Sequence, residues 1–243
     1  MSRGTMMDTT RSSNRVGLRI LWSAALVLFF AVGTPGAFAQ SPLRITFGGD
    51  EIGRFPSGWE SKDKANMVKI YSVQAEGDVK FLHADASGLS VQIAYELRWP
   101  LQEFPTLRWR WRAVLLPERS NELEKSGNDS VLGIYVMFSS FPVRVIKYIW
   151  SDTLAVGSFL ESPHSSGTKI VVVCGGRELI GTWVTRERNV LEDYRRFFGA
   201  SEKNPVAKGI GLLTDSDNTR SRAIGDYGDI EMLGPSGGRA TVR

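Results

Sequence analysis

The sequence predicts an all-β fold, an antiparallel β-sandwich of jelly-roll type carrying one short amphipathic helix near residues 190–198. Three observations carry that prediction. Short apolar runs recur from Leu43 to Leu233, many of them alternating apolar and polar residues, and clusters of Gly, Pro, Ser, Asn and Asp separate them. Side chains alternate faces with period two along a strand, so these runs are strands and the clusters are turns. Helical periodicity is confined to "RNVLEDYRRFFG", and strands without alternating helices point away from a parallel α/β sheet.

The first 39 residues stand apart from the fold. Arg11, Arg15 and Arg19 precede the apolar run Ile20–Val32, and Ala37-Phe38-Ala39 closes the stretch. This is the pattern of a secretory signal peptide cleaved after Ala39. The apolar run falls short of the roughly 20 residues that span a bilayer, so no membrane span is expected after cleavage. Residues 1–39 also hold Arg3, Arg11, Arg15 and Arg19 against Asp8, which is three of the four net positive charges of the chain. What remains is nearly neutral, which removes the electrostatic basis for a nucleic-acid reading. Residues 40–243 are expected to form one β-sandwich domain in the periplasm or outside the cell, with a flexible Gly-rich tail at 234–243.

The strands follow in order: "LRITF", "NMVKIYSVQ", "VKFLHA", "LSVQIAYEL", "TLRWRWRAV", "SVLGIYVMF", "VIKYIW", "TKIVVVC", "GTWVTRER", "GIGLLT" and "YGDIEML". In the helical segment, Val190, Leu191, Tyr194, Phe197 and Phe198 share one face. Asn189 is a good N-cap with Glu192 three residues on, and Gly199 suits the exit. Cys174 is the single cysteine, so no internal disulfide can form, and its place at the end of "KIVVVC" predicts a buried, inert thiol.

Several clusters could carry chemistry. In "TLRWRWRAV", Trp109 and Trp111 share a face with Leu107, while Arg108, Arg110 and Arg112 share the other. The tryptophans are expected in the core and the arginines outward, paired with acidic cross-strand partners. In "VIKYIWSD", Tyr148, Trp150 and Asp152 share a face, a combination that suits a sugar: rings stack and an acid accepts hydroxyl protons. Asp129 opens "DSVLGIYVMF" and Arg188 stands where a strand enters the helix. Tyr148, Trp150, Asp152, Asp129 and Arg188 are thus the expected ligand-binding set, with a structural Arg188–Asp193 pair as the competing role for Arg188. In "TDSDNTRSRAIGD", Asp215, Asp217 and Asn218, with Thr219 and Asp226, offer clustered oxygens of the kind calcium takes. The stretch is not an EF-hand loop, because Arg220 occupies the glycine position and Asp226 that of the bidentate Glu. Asx-turns closing a β-hairpin account for the same residues without a metal. No cofactor and no catalytic residue is expected: G-x-S-x-G and H-E-x-x-H are absent, and His83 and His164 are the only histidines.

Taken together and in order, "FPTLRWRWRAVLLP", "NDSVLGIYVMF", "VIKYIWSD", "GTWVTRERNVLEDYRRFFG" and "KGIGLLTDSDNTRSRAIGDYGDIEM" resemble the uncharacterised bacterial family known as domain of unknown function 3047, over roughly Ile45 to Met232. The resemblance implies an exported β-rich protein and carries over no catalytic residues. The closing phrase is also similar to the last strands of jelly-roll sugar-binding modules, a likeness at the level of fold. The expected function is non-catalytic binding of a glycan or other small polar envelope ligand. A carboxylate-based glycoside hydrolase or lyase is the first alternative, and an envelope scaffold or partner-binding protein the second.

Overall fold

The computed structural model describes residues 41–235; the expected signal peptide and most of the Gly-rich tail lie outside the described residues. The chain runs through β1 (Leu43–Ile45), β2 (Trp59–Glu60), α1 (Lys64–Ile70), β3 (Tyr71–Glu76), β4 (Val79–Ser87), β5 (Ile93–Pro100) and β6 (Thr106–Leu115). A single 3-10 turn (Lys125–Gly127) precedes β7 (Gly133–Ser140), β8 (Val143–Ser151), β9 (Phe159–Ser162) and β10 (Ser165–Gly175). Then come β11 (Val184–Asn189), α2 (Val190–Phe198), β12 (Val206–Leu213) and β13 (Arg222–Leu233).

These strands form two sheets. One is ordered β11-β6-β13-β4-β3, with β1 beside the end of β13; the other is ordered β2-β5-β12-β7-β8-β10-β9. The sandwich is therefore as the alternation predicts, with one departure from an all-antiparallel arrangement: β8 and β10 run parallel, Thr168 opposite Val145. Between them the chain makes β9, which pairs antiparallel with β10, so β10 must return to β8 in the same direction.

Alternation is clearest in β6. Leu107, Trp109, Trp111 and Ala113 are buried between the sheets, and only Leu115 at the strand's end escapes to solvent. Trp109 stacks on Tyr148 at 5.5 Å between centroids and meets Trp111 edge-on at 5.4 Å, while Trp111 faces Trp150 at 6.4 Å. This ring stack joins β6 of one sheet to β8 of the other. Aromatic rings bury large apolar areas and dominate core energetics, so this contact contributes strongly to holding the sheets together. The three arginines point outward and have partners. Arg108 pairs with Glu187 at 2.9 Å, Arg112 with Asp226 at 2.8 Å and Glu76 at 3.1 Å, and Arg110 lies 4.3 Å above the ring of Trp183.

Helix α2 forms where its caps predict. Asn189 accepts from the Glu192 N–H at 3.1 Å, and Gly199 leaves the helix with φ 84°, a conformation costly for a side chain with Cβ. Two expectations need correction. "NMVKIYSVQ" is not one strand: Asp63 accepts from the Asn66 N–H at 3.1 Å and caps α1, so only its second half joins β3. Capping outweighs the modest strand preference of Val68 and Ile70. The loop "TDSDNTR" does not close a hairpin either. β12 and β13 belong to different sheets, and this loop carries the chain from one to the other.

Candidate functional site

Consecutive residues of β8 point to opposite faces. Ile146, Tyr148 and Trp150 enter the inter-sheet core, whereas Ile149 joins a separate small cluster with Ile170 and Val172 on the outer face of the seven-stranded sheet. Lys147 shares the outer parity, yet it is only 4% exposed. It stands opposite Tyr135 of β7, and both line a pit of about 370 Å³. Gly133 makes room for the lysine stem: a Cβ there would lie 3.2 Å from Lys147 Cε and 3.3 Å from the Leu213 carbonyl.

Three segments complete the walls. The β9–β10 hairpin supplies Ser162, exposed His164, Ser165 and Thr168, and the loop before β7 supplies Asn128. The loop after β12 supplies Asp215, Asp217 and Asn218. These last two loops are tied together. The Asp215 N–H donates to the Ser130 carbonyl at 3.1 Å. Asn218 donates to Asp129 Oδ1 through its backbone N–H at 3.3 Å and its amide at 3.1 Å. Thr219 donates to Asp129 Oδ2 through its N–H at 2.8 Å and its hydroxyl at 2.6 Å.

The electrostatics follow from this burial. For Asp129, burial favours the protonated form, but the hydrogen bonds from Thr219 and Asn218 outweigh it and hold the carboxyl below its usual range. Asp215 lacks such a set of donors, and its side-chain hydrogen bond is shared with a second acid, Asp217. Burial pushes its carboxyl up to about 8; Asp129 and Asp217 add to the rise, and Lys147 opposes it. Its Oδ1 is buried without a hydrogen-bond partner among the described residues. Lys147 is held above its usual value: burial pulls it down, but Tyr135, Asp215 and Glu122 more than compensate. Burial raises the Tyr135 phenol as well. Glu122 is 1% exposed; its Oε2 accepts from Ser151 and Thr153, each at 3.0 Å, and its Oε1 has no partner. A buried cation thus sits in a field of carboxylates that are only partly satisfied, at the bottom of an open polar pit. A larger cleft of about 590 Å³ adjoins the pit through Ser90, but its ionisable lining residues, Glu60, Lys62 and Asp63, are all exposed.

The structure does not bring the five expected ligand residues together. Tyr148 and Trp150 share a face with each other but are 0% and 1% exposed, so neither ring offers a surface for stacking. The period-two pattern assigns their face correctly, and that face is the core. Tyr148 donates to Asp193 Oδ2 at 2.8 Å, and Arg188 pairs with the same carboxylate at 2.6 Å. Arg188 therefore locks β11 to α2, its structural role. Asp152 is held by Arg177 at 2.5 Å. Asp129 belongs to the pit loops instead. Of the calcium candidates, Asp215, Asp217 and Asn218 meet Asp129 at the pit. Asp226 does not join them, because its parity on β13 turns it outward on the other sheet, between Arg112 and His83.

The sequence reading misses Lys147, Tyr135 and Glu122. A lysine inside "VIKYIW", an otherwise apolar run on both parities, is the signal that could reveal the first of them. The phrases behind the family resemblance now converge in space: "NDSVLGIYVMF" supplies Asn128, Asp129 and Tyr135, "VIKYIWSD" supplies Lys147, and "LTDSDNT" supplies Asp215, Asp217 and Asn218.

A family model described as "Protein of unknown function (DUF3047)" matches residues 57–231, and the chain belongs to that family. No curated protein matches the chain. Among solved structures, it is similar to the K1 cleaved adhesin domain of Lys-gingipain from Porphyromonas gingivalis W83, at 10% identity and TM-score 0.37, over 80% of this chain and 99% of that one. It is also similar to the family 11 xylanase from Neocallimastix patriciarum, at 8% identity and TM-score 0.31, over 79% and 96%.

Proposed function

We propose that this protein is exported and binds a glycan or other small polar envelope ligand, without chemistry, in the pit floored by Lys147. The observation that carries the reading is the constellation of buried Lys147 and Asp215 with half-buried Tyr135, lining a polar cavity of about 370 Å³. That volume falls in the range of about 300–1,000 Å³ usual for small-molecule sites, where a few fixed polar groups orient the ligand. A hydroxyl-rich ligand can accept from the ammonium, donate to a carboxylate and exchange either role with the Tyr135 and Thr168 hydroxyls. The half-buried Tyr135 ring adds an apolar wall. Because Ser90 lines both the pit and the larger cleft, a ligand longer than one ring has room to continue.

Titrating the purified protein with envelope oligosaccharides tests the reading. Tyr135→Phe and Thr168→Val each remove one hydroxyl and should weaken binding by up to about tenfold, the value of one lost hydrogen bond. Trp183→Ala, on the other sheet, should leave it unchanged. Sensitivity to Trp183 and indifference to Tyr135 would move the site to the arginine face. Release of a cleaved sugar would turn the reading to the carboxylate enzyme. Export has its own test: the N-terminus of secreted or periplasmic protein should be Gln40.

A further inference from the structure

The carboxylates beside the pit are arranged for more than hydrogen bonding. Asp129, Asp215 and Asp217 come from two loops and from different distances along the chain, yet each offers an oxygen within 4.8 Å of the others. Calcium takes about six to eight oxygens in a flexible shell and readily accepts several carboxylates at once, whereas magnesium demands near-ideal octahedral geometry and keeps most of its waters. The donors are all oxygen. The cluster has neither the thiolates nor the imidazoles that favour zinc or copper, and His164 is an exposed rim residue.

A second observation points to an occupant. Asp215 is 5% exposed and its Oδ1 is buried with no hydrogen-bond partner among the described residues. A carboxyl oxygen shut away from water without a partner costs free energy, and buried carboxyl groups are otherwise hydrogen-bonded, paired or bound to metal. Lys147 acts on Asp215 through space and favours its charged form. Asp129, by contrast, has four donors fixing its plane, so one wall of the cluster is already rigid.

We propose that Asp129, Asp215 and Asp217 form a binding site for a divalent cation of the calcium type, completed by solvent or ligand oxygens from the pit. The inference goes beyond the glycan reading and does not depend on it. The cation would tie the loop before β7 to the loop after β12, the two segments that build the polar wall.

Calorimetric titration of chelator-treated protein with CaCl2 tests it, alongside thermal denaturation in CaCl2 and in EGTA. The expected result is one calcium bound per chain and a melting temperature that rises with CaCl2 and falls back in EGTA, by mass action. Asp217→Asn is exposed and should fold normally, and it should weaken calcium binding by about tenfold or more. Asp215→Asn should do the same, because the amide cannot become an anionic ligand, and circular dichroism checks its fold. Magnesium should bind more weakly. No heat and no thermal shift at millimolar calcium would overturn the proposal, as would unchanged affinity in folded Asp215→Asn and Asp217→Asn. Two controls separate this proposal from the ligand reading. Tyr135→Phe should keep calcium binding, and the oligosaccharide titration repeated in EGTA reports the ligand site without the ion.

Discussion

Lys147 and Tyr148 are neighbours on one strand, both are almost wholly buried, and they serve two regions built on opposite principles. Tyr148 belongs to a stack of four rings, and its hydroxyl reaches the Asp193 carboxylate that also holds Arg188. Lys147 lines a pit with Asp215 and feels the charge of Glu122 behind it, and among the described residues each of these acids keeps one buried oxygen without a partner. The core has orphans too, the indole N–H groups of Trp109 and Trp111. Those are single donors on large apolar rings whose burial outweighs the loss. An orphaned carboxylate has no such compensation. Burial therefore does not separate core from site in this molecule; the kind of polar atom left unsatisfied does.

That contrast can be broken by mutation, and the largest effect belongs to the core. Trp111→Ala should cost about 3–5 kcal/mol in denaturant unfolding, because it removes a fully buried ring that bridges the sheets. A loss below about 1 kcal/mol would mean the ring stack does not hold the sheets together. Asp193→Ala should cost about 2–3 kcal/mol, since it leaves a buried phenol and a guanidinium without their shared acceptor. Gly133→Ala tests the pit side of the same sheet. Its Cβ would crowd Lys147 Cε and a carbonyl, so a cost of about 1–3 kcal/mol is expected with loss of ligand binding, whereas an ordinary surface glycine would tolerate the change.

The pit should also respond to pH in a direction the core does not. In the absence of added cation, the Asp215 carboxyl is raised to about 8 in the folded chain by burial, from about 4 when unfolded. The folded state then holds a proton that the unfolded state lacks between those values. The stability this contributes is fully present below the unfolded value and is lost as pH rises through the folded one. Unfolding curves in EGTA from pH 4 to 9 should show that decline, and Asp215→Asn should flatten it. A profile rising over this window, unchanged by the substitution, would contradict the assigned burial. The smallest effect is on the outer arginine face, where Arg110→Gln should change stability by no more than about 1 kcal/mol.

The same contrast explains what could be read from the sequence. Period-two alternation is a local property, so it placed Trp109 and Trp111 inward and Arg108, Arg110 and Arg112 outward. Caps are local too, and Asn189 and Gly199 marked α2. Asp63 marks α1 by the same logic, hidden behind the β-branched residues that follow it. Alternation also grouped Tyr148 with Trp150 correctly, but it says nothing of which face a second sheet covers. Aromatic residues beside an acid suggested a binding face, and the covering sheet made it core. The pit depends on pairing across sequence: Tyr135 opposite Lys147, and Asp129 held by Asn218 and Thr219 some ninety residues later. Register of that kind is fixed by the whole sheet and is not written in any one segment. Asp215, Asp217 and Asn218 were visible as an oxygen cluster because they lie together in the chain.

The central claim is that the outer face carrying Lys147, and not the aromatic core face or the arginine face, meets the ligand. Amide chemical-shift mapping during titration with an envelope oligosaccharide tests this most directly. The account predicts saturable shifts centred on Tyr135, Thr168 and Asp217, with the amides around Arg110 and Trp183 unmoved. Shifts confined to Arg110, Trp183 and their neighbours, with the pit silent at saturation, would contradict it.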